Sequence, residues 1–263
     1  MAAEDAAIAF ENVRKVYDSA DRPALDGVSL TIAKGEFLAV VGASGSGKTT
    51  LMRLTNRLAE PTAGTVRVGG ADVQTVDAVN LRRRIGYVFQ GIGLFPHMTV
   101  AENIAITPRL LGADARERSR RADELLDLVR LAPAEFRHRF PHELSGGQRQ
   151  RIGVARALGA KPQTVLMDEP FGALDPLTRD ALGQDYRELH GTLRLTTAMV
   201  THDIVEALLL ADRIAVMDKG RLIAHGTPHA LMQSRDATVS ALMQTPRRKT
   251  ERLSALQARG DLA

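Results

Sequence analysis

With 263 residues, 44% of them hydrophobic and 25% charged, the chain can bury a sizeable core, and intrinsic disorder is excluded for most of its length. It has no cysteine, which removes disulfide frames, thiolate zinc sites and cysteine nucleophiles. No apolar run approaches the roughly 20 residues of a membrane-spanning helix, and the surplus positive charge gathers beyond Pro246, where Arg247, Arg248, Lys249, Arg252 and Arg259 outnumber Glu251 and Asp261. The body of the chain therefore lacks the basic face of a nucleic-acid binder, and no nucleic-acid partner is expected.

Residues Met1 to Phe10 carry Glu4 and Asp5, with no basic residue before Arg14. That is the wrong polarity for a secretory signal, so a cytoplasmic setting is expected. The spacing predicts short strands at Ile8–Phe10, Val13–Tyr17, Val28–Ile32 and Phe37–Val41, then a stretch of small residues from Gly42 to Lys48 and a helix over Thr49–Leu58. Strands at Thr65–Val68 and Ile85–Phe89 follow. From Thr99 to about Phe140 the pattern is helical, with Asp114 opening a charged amphipathic segment, and a further helix runs from Ser145 to about Gly159. Buried-type strands at Thr164–Met167, Thr196–Val200 and Arg213–Met217 alternate with helical stretches 176–191 and 203–211, and a hairpin at Lys219-Gly220 precedes a last helix after Thr227. Strand and helix in alternation predict an α/β fold with a mainly parallel sheet. The expected organisation is a body over 1–245, with a helical subdomain inserted at about 91–150, and a short basic tail over 246–263.

Gly42-Ala43-Ser44-Gly45-Ser46-Gly47-Lys48-Thr49 follows a predicted strand and opens a predicted helix. This is the phosphate-loop pattern: the glycines let backbone N–H groups turn inward around phosphates at a positive helix terminus. Lys48 is placed to reach the β and γ phosphates and Thr49 to ligate Mg²⁺. Thr50 completes the nucleotide-binding set.

The apolar strand Thr164–Met167 runs into Asp168-Glu169, which puts two carboxylates at the carboxyl edge of a parallel sheet, where such sheets bind ligands. Asp168 is placed to hold Mg²⁺ through its water shell. Glu169, one residue on, is placed to polarise the water that attacks the γ phosphate. Without the phosphate loop, the pair would read as a surface turn.

Leu144-Ser145-Gly146-Gly147-Gln148 is the most specific segment, a second candidate anion site made of a hydroxyl, glycine N–H groups and a helix start. On these motifs the chain resembles the nucleotide-binding subunit of ATP-binding cassette (ABC) transporters over residues 8 to about 235. The resemblance implies a P-loop NTPase (RecA-like) core with an N-terminal antiparallel β subdomain and an inserted α-helical subdomain. It also implies that Leu144–Gln148 faces the phosphate loop of a second copy, so that two ATP molecules lie between two cassettes and a lone cassette is a poor ATPase.

Other positions match residue by residue. Tyr17 is similar to the aromatic that stacks on adenine, and Gln90 to the glutamine that contacts Mg²⁺ and the attacking water. His202 is similar to the histidine that contacts the γ phosphate, and Asp175 in Gly172-Ala173-Leu174-Asp175 to the dimer-contact loop, where Gly172 departs from the more usual serine. The resemblance makes ATP and Mg²⁺ the expected cofactors. An integral membrane permease, an extracytoplasmic solute-binding protein and a second cassette are the expected partners, at the cytoplasmic face of the cell membrane. The wording from Gln90 to Val100, with Phe140-Pro141-His142-Glu143, is similar to importers of quaternary ammonium osmoprotectants such as glycine betaine, choline and carnitine. Some of those carry a long C-terminal regulatory pair of domains, for which the segment after Pro246 is too short. An importer of an amino acid or another small solute, or a soluble cassette ATPase acting on nucleic acid or ribosomes, are the alternatives.

Overall fold

The computed structural model describes residues 6–18, 22–91, 93–246, 251 and 254. Strand β1 (Ile8–Lys15) pairs antiparallel with β2 (Leu25–Ile32). The two short strands expected at the start are one strand: its register shifts between Phe10 and Val13, and Asn12 takes a left-handed φ of 48°. Such a bulge breaks the alternation without ending the pairing. Strand β3 (Phe37–Gly42) leads through the glycine loop into helix α1 (Lys48–Thr55), and β4 (Ala63–Val68) and β5 (Ala71–Asp72) complete a four-stranded antiparallel sheet in the order β2-β1-β4-β5.

Helix α2 (Ala78–Arg84), capped by the Asp77 carboxylate accepting from Asn80 N–H, runs directly into β6 (Ile85–Val88). The helical stretch resolves into α3 (Val100–Leu110), α4 (Ala115–Leu128), α5 (Pro133–Phe136) and α6 (Gly146–Ala157). Thr99 and Glu102 form a reciprocal capping box at the start of α3, and Asp114 caps α4 as expected. Then follow β7 (Thr164–Asp168), α7 (Pro176–Leu193), β8 (Thr196–Val200), α8 (Ile204–Leu210), β9 (Arg213–Asp218), β10 (Arg221–Gly226), α9 (Pro228–Met232) and α10 (Ala237–Met243).

The second sheet has the order β10-β9-β3-β8-β7-β6, parallel except for the β9–β10 hairpin. Its inner strands β3, β7, β8 and β9 are buried on both faces, as parallel strands flanked by other layers must be, whereas the edge strand β10 is partly exposed along its length. Alternation along β3 divides the interior in two. Phe37, Ala39 and Val41 point into a core shared with α3, α4, α6 and α7, whereas Leu38 and Val40 point into a core shared with α1 and the antiparallel sheet. The inserted helices thus have no core of their own: Ile104, Leu125 and Ile152 sit in the same cluster as Phe37 and Met167. The basic tail expected after Pro246 lies almost wholly outside the described residues.

Candidate nucleotide-binding and catalytic site

The carboxyl ends of β3, β7 and β8 lie side by side. Asp168 is in register with Val200, and the ladder continues past the strand ends: Glu169 N–H donates to Val200 carbonyl at 2.9 Å and Thr201 N–H to Val40 carbonyl at 3.2 Å. The loop after β3, the pair after β7 and the turn after β8 therefore converge on one edge, which is where open parallel sheets place ligands.

The loop Gly42–Gly47 turns tightly back on the sheet. Gly42 has φ 150°, and a β-carbon there would stand 2.1 Å from Met217 carbonyl oxygen. Gly47, the residue before α1, has φ 102° and approaches Ala24 carbonyl as closely, at 2.4 Å. Neither position admits a side chain. Ala43, Ser44 and Gly45 are exposed, Ser46 is buried with an unpartnered hydroxyl, and Thr49 and Thr50 are half-buried. Lys48 Nζ folds back across its own loop and donates to the carbonyls of Gly42 and Ala43, both at 2.8 Å. Burial lowers its pKa, and the carboxylates of Glu169 and Asp168 oppose that shift. A partly desolvated ammonium facing such a loop is set to exchange those carbonyls for phosphate oxygens.

Thr49 Oγ1 donates to Asp168 Oδ1 at 3.4 Å. Burial raises the pKa of Asp168, and the neighbouring Glu169 adds to that. Among the described residues no group of three or more His, Asp or Glu side chains forms a metal cage. A hydroxyl beside one carboxylate is a hard oxygen pair of the kind that holds Mg²⁺ together with nucleotide phosphates and water, and these donors fit that ion.

Glu169 occupies the left-handed region at φ 45°, a rare conformation for a non-glycine residue and one that gathers at functional sites. It turns the carboxylate away from the strand toward two partners. Gln90 Nε2 donates to Glu169 Oε2 at 2.9 Å, and His202 Nδ1 stands 3.5 Å from the same oxygen. The three side chains assigned together from sequence meet at one atom. Gln90 and His202 are solvent-exposed, and Glu169 is half-buried.

Ser145 caps α6: its hydroxyl accepts from Gln148 N–H at 3.2 Å, and Gln148 Oε1 accepts from Ser145 N–H at 2.9 Å. The hydroxyl proton of Ser145 is left to donate outward. Leu144 is buried and anchors the turn, while Gly146 and Gly147 are half-buried. Gly147 has a packing reason as well, since a β-carbon there would stand 2.8 Å from Thr178 Cγ2 on α7. Asp175 is exposed and caps α7, accepting from Thr178 N–H at 3.0 Å. Tyr17 is half-buried, with its hydroxyl buried and without a partner among the described residues and Lys15 Nζ 4.8 Å from the ring centroid.

Sequence reasoning missed two residues around Gln90. Tyr87 packs against Phe89 at a tilt of 46° with ring centroids 4.5 Å apart, and its hydroxyl faces Asp168, burial and that carboxylate pushing its pKa up to about 12. Arg156, near the end of α6, donates to Gly93 carbonyl at 2.6 Å and lies 5.7 Å over the Phe89 ring. Only contact across 63 positions reveals that Arg156 holds the loop after Gln90. In the loop that follows, Phe95 and Pro96 are exposed and Met98 is half-buried, its N–H donating to Phe95 carbonyl at 3.2 Å; Ile92 lies outside the described residues.

The ABC transporter family profile matches residues 25–172, more than half of the chain. The chain belongs to the ABC transporter family. As an ATP-binding domain of that family it is 51% identical, over 86% of its length, to the choline transport ATP-binding protein of Bacillus subtilis, spanning 59% of that protein. It is 45% identical, again over 86% of its length, to the glycine betaine uptake system ATP-binding protein of Escherichia coli, spanning 72% of that one. Its fold is similar to that of the dimeric ATP-binding cassette MJ0796 in a post-hydrolysis state bound to ADP and Pi, with a TM-score of 0.74 and 34% identity over 84% of this chain and 98% of that one. The mixed α/β cassette expected from the sequence is thus the fold observed.

Proposed function

We propose that this ABC domain hydrolyses MgATP and powers uptake of a quaternary ammonium osmoprotectant, such as glycine betaine, choline or carnitine, through a separate membrane permease. The observation that carries the reading is the convergence of Gln90 and His202 on one carboxylate oxygen of Glu169, at the sheet edge that also bears the phosphate loop. Glu169 accepts the proton of the attacking water, Gln90 orients that water, and His202 holds the γ phosphate and the Glu169 carboxylate in register. The N–H groups of Gly42–Thr50 and the Lys48 ammonium bind the phosphates, and Tyr17 carries the adenine. Thr49, Asp168 and Gln90 would hold Mg²⁺, which when bound offsets charge on the β and γ phosphates. Glu169 and Asp168 keep separate tasks because one is bracketed by donors at the surface and the other is buried beside Thr49.

A second copy of the chain supplies Leu144–Gln148, through the outward hydroxyl of Ser145 and the N–H groups at the start of α6, with Asp175 at the contact between copies. A groove of about 430 Å³ beside β6 suits an apolar helix of the permease, since Leu58, Phe89, Phe95 and Leu110 line it and are exposed. No helix of the described residues is long and apolar enough to cross a membrane. The assembly sits on the cytoplasmic face of the membrane, with a solute-binding protein on the other side and no nucleic acid. We also assign the cassette to residues 1–245, the helical subdomain to about 91–150 and a short basic tail to 246–263. The cargo assignment is supported by the choline and glycine betaine relatives, since this subunit does not touch the solute.

The test is to tag the chain in its own cells, extract membranes in mild detergent with MgATP present, and identify what is retained. A polytopic permease and a binding domain carrying a quaternary ammonium solute are expected. A permease carrying another solute would overturn the cargo, and ribosomes or nucleic acid without a permease would overturn the transporter.

A further inference from the structure

Arg179 lies on the first turn of α7, and its guanidinium touches two loops at once. Nη2 donates to the carbonyls of Gly172 and Leu174, at 3.4 and 3.2 Å, and Nη1 donates to Asp203 Oδ2 at 3.1 Å. Gly172 and Leu174 belong to the loop running from Glu169 to Asp175. Asp203 follows His202 and caps α8, its Oδ1 accepting from Val205 and Glu206 N–H at 2.9 and 3.3 Å. The two loops meet at the reacting groups: a β-carbon on Gly172 would stand 3.6 Å from both Glu169 carbonyl oxygen and His202 Cε1. Both members of the Arg179–Asp203 pair are about one-third exposed or less, at 27% and 31%. The buried carboxyl of Glu206 and the His202 ring complete the charged surroundings.

A planar guanidinium can serve two carbonyls and a carboxylate together, which an ammonium on a flexible stem cannot. We infer that Arg179, paired with Asp203, is a positioning residue that clamps the 172–174 loop to the His202 turn and so fixes the separation of Glu169 and His202. The inference rests on the ATPase reading, in which those two side chains act on one water and one phosphate. It goes beyond that reading because it gives a role to two residues outside the phosphate loop and outside the Glu169, Gln90 and His202 set. Arg179 sits on α7 and reaches both the 172–174 loop and Asp203 on the His202 turn. Loosening either one lets the carboxylate and the imidazole drift apart, and a misplacement of about 1 Å costs on the order of 100-fold in rate.

The experiment uses the full chain and the variants Asp203→Asn, Arg179→Lys and the double. Asparagine keeps the Oδ1 cap of α8, because it caps helices as well as aspartate does, and removes only the charge opposite Arg179. Each single variant is expected to lower kcat about 10-fold or more while the Kd for a fluorescent ATP analogue moves less than about twofold. The double should be no slower than the slower single, as for two ends of one clamp. Hydrogen exchange supplies a readout independent of turnover: amides of 170–174 should exchange faster in Asp203→Asn, while those of 204–210 stay as in the wild type. Unchanged exchange at 170–174, or single-variant effects that multiply in the double, would overturn the clamp. A wild-type chain without MgATP turnover at concentrations where ATP drives it to a dimer would instead overturn the ATPase reading, and the exchange data would still decide the clamp.

Discussion

The side-chain amide of Gln90 donates to the carboxylate of Glu169 across 2.9 Å, and this bond joins two regions of the surface. On one side lies the phosphate edge of the sheet. On the other, the residue before Gln90 is Phe89, exposed in the groove beside β6, packed against Tyr87 and lying under Arg156. A helix pressed against Phe89 therefore acts on the geometry of Glu169 through one intervening residue.

On the proposed mechanism, replacing Glu169 by Gln removes the proton acceptor and leaves the phosphate loop and Lys48 unchanged. Turnover should fall about 10²–10⁴-fold while ATP binding persists. A dimer should then accumulate with ATP on a sizing column. Undiminished hydrolysis by the purified variant would sink the assignment.

His202→Ala should also strongly reduce kcat, with Kd for ATP preserved. The imidazole is 59% exposed and stands 3.5 Å from the Glu169 carboxylate, so its loss leaves no buried cavity. Equilibrium binding checks this, and loss of binding together with activity would give His202 a structural role instead.

Gly147→Ala should destabilise the fold despite alanine's higher helix propensity. The new methyl would stand 2.8 Å from Thr178 Cγ2, on a β-branched side chain with little freedom to turn aside. Overpacking costs about 1–3 kcal/mol, whereas the propensity gain is about 1 kcal/mol. Thr178→Ser removes the clashing methyl, so the double variant should recover the urea midpoint of the wild type. A single variant as stable as the wild type would show that α6 and α7 yield at this contact.

Stability should decline as the solution turns mildly acidic, in part through His190. This side chain is buried between Phe37 and Thr197, its Nδ1 3.0 Å from Thr197 Oγ1. Burial lowers its pKa, with the Arg187 guanidinium acting the same way and the Asp212 carboxylate and Gly35 backbone opposing. The unfolded chain thus takes up a proton below about pH 6.5 that the folded chain resists, and stability is lost as pH falls from that value toward the depressed folded one. Urea midpoints at about pH 7.5 and about pH 5.5 should differ less for His190→Gln than for the wild type. Equal differences would assign the acid sensitivity to other groups.

The motifs that carry chemistry were legible because each is local. Gly42–Thr49, Asp168-Glu169 and Leu144–Gln148 are contiguous, and their roles follow from backbone N–H groups and adjacent carboxylates. Strand β8 was legible to the residue, since an apolar run buried on both faces has sharp ends. Helices α2 and α10 were not. The sequence of α2 is half arginine and asparagine, with Leu81 as its one buried residue, and a helix held by a cap and a following strand shows little apolar period. Arg156 and Arg179 were invisible for a different reason: each works through main-chain carbonyls, which any residue can offer.

The left-handed backbone at Glu169 sets two selective pressures against each other at a single position. Glycine would relieve the strain, worth roughly 1 kcal/mol, and raise the melting temperature. It would also delete the carboxylate on which Gln90 and His202 converge. Stability screens on this chain should therefore enrich Glu169→Gly, and any collection of variants ranked by melting temperature alone would carry dead enzymes near its top.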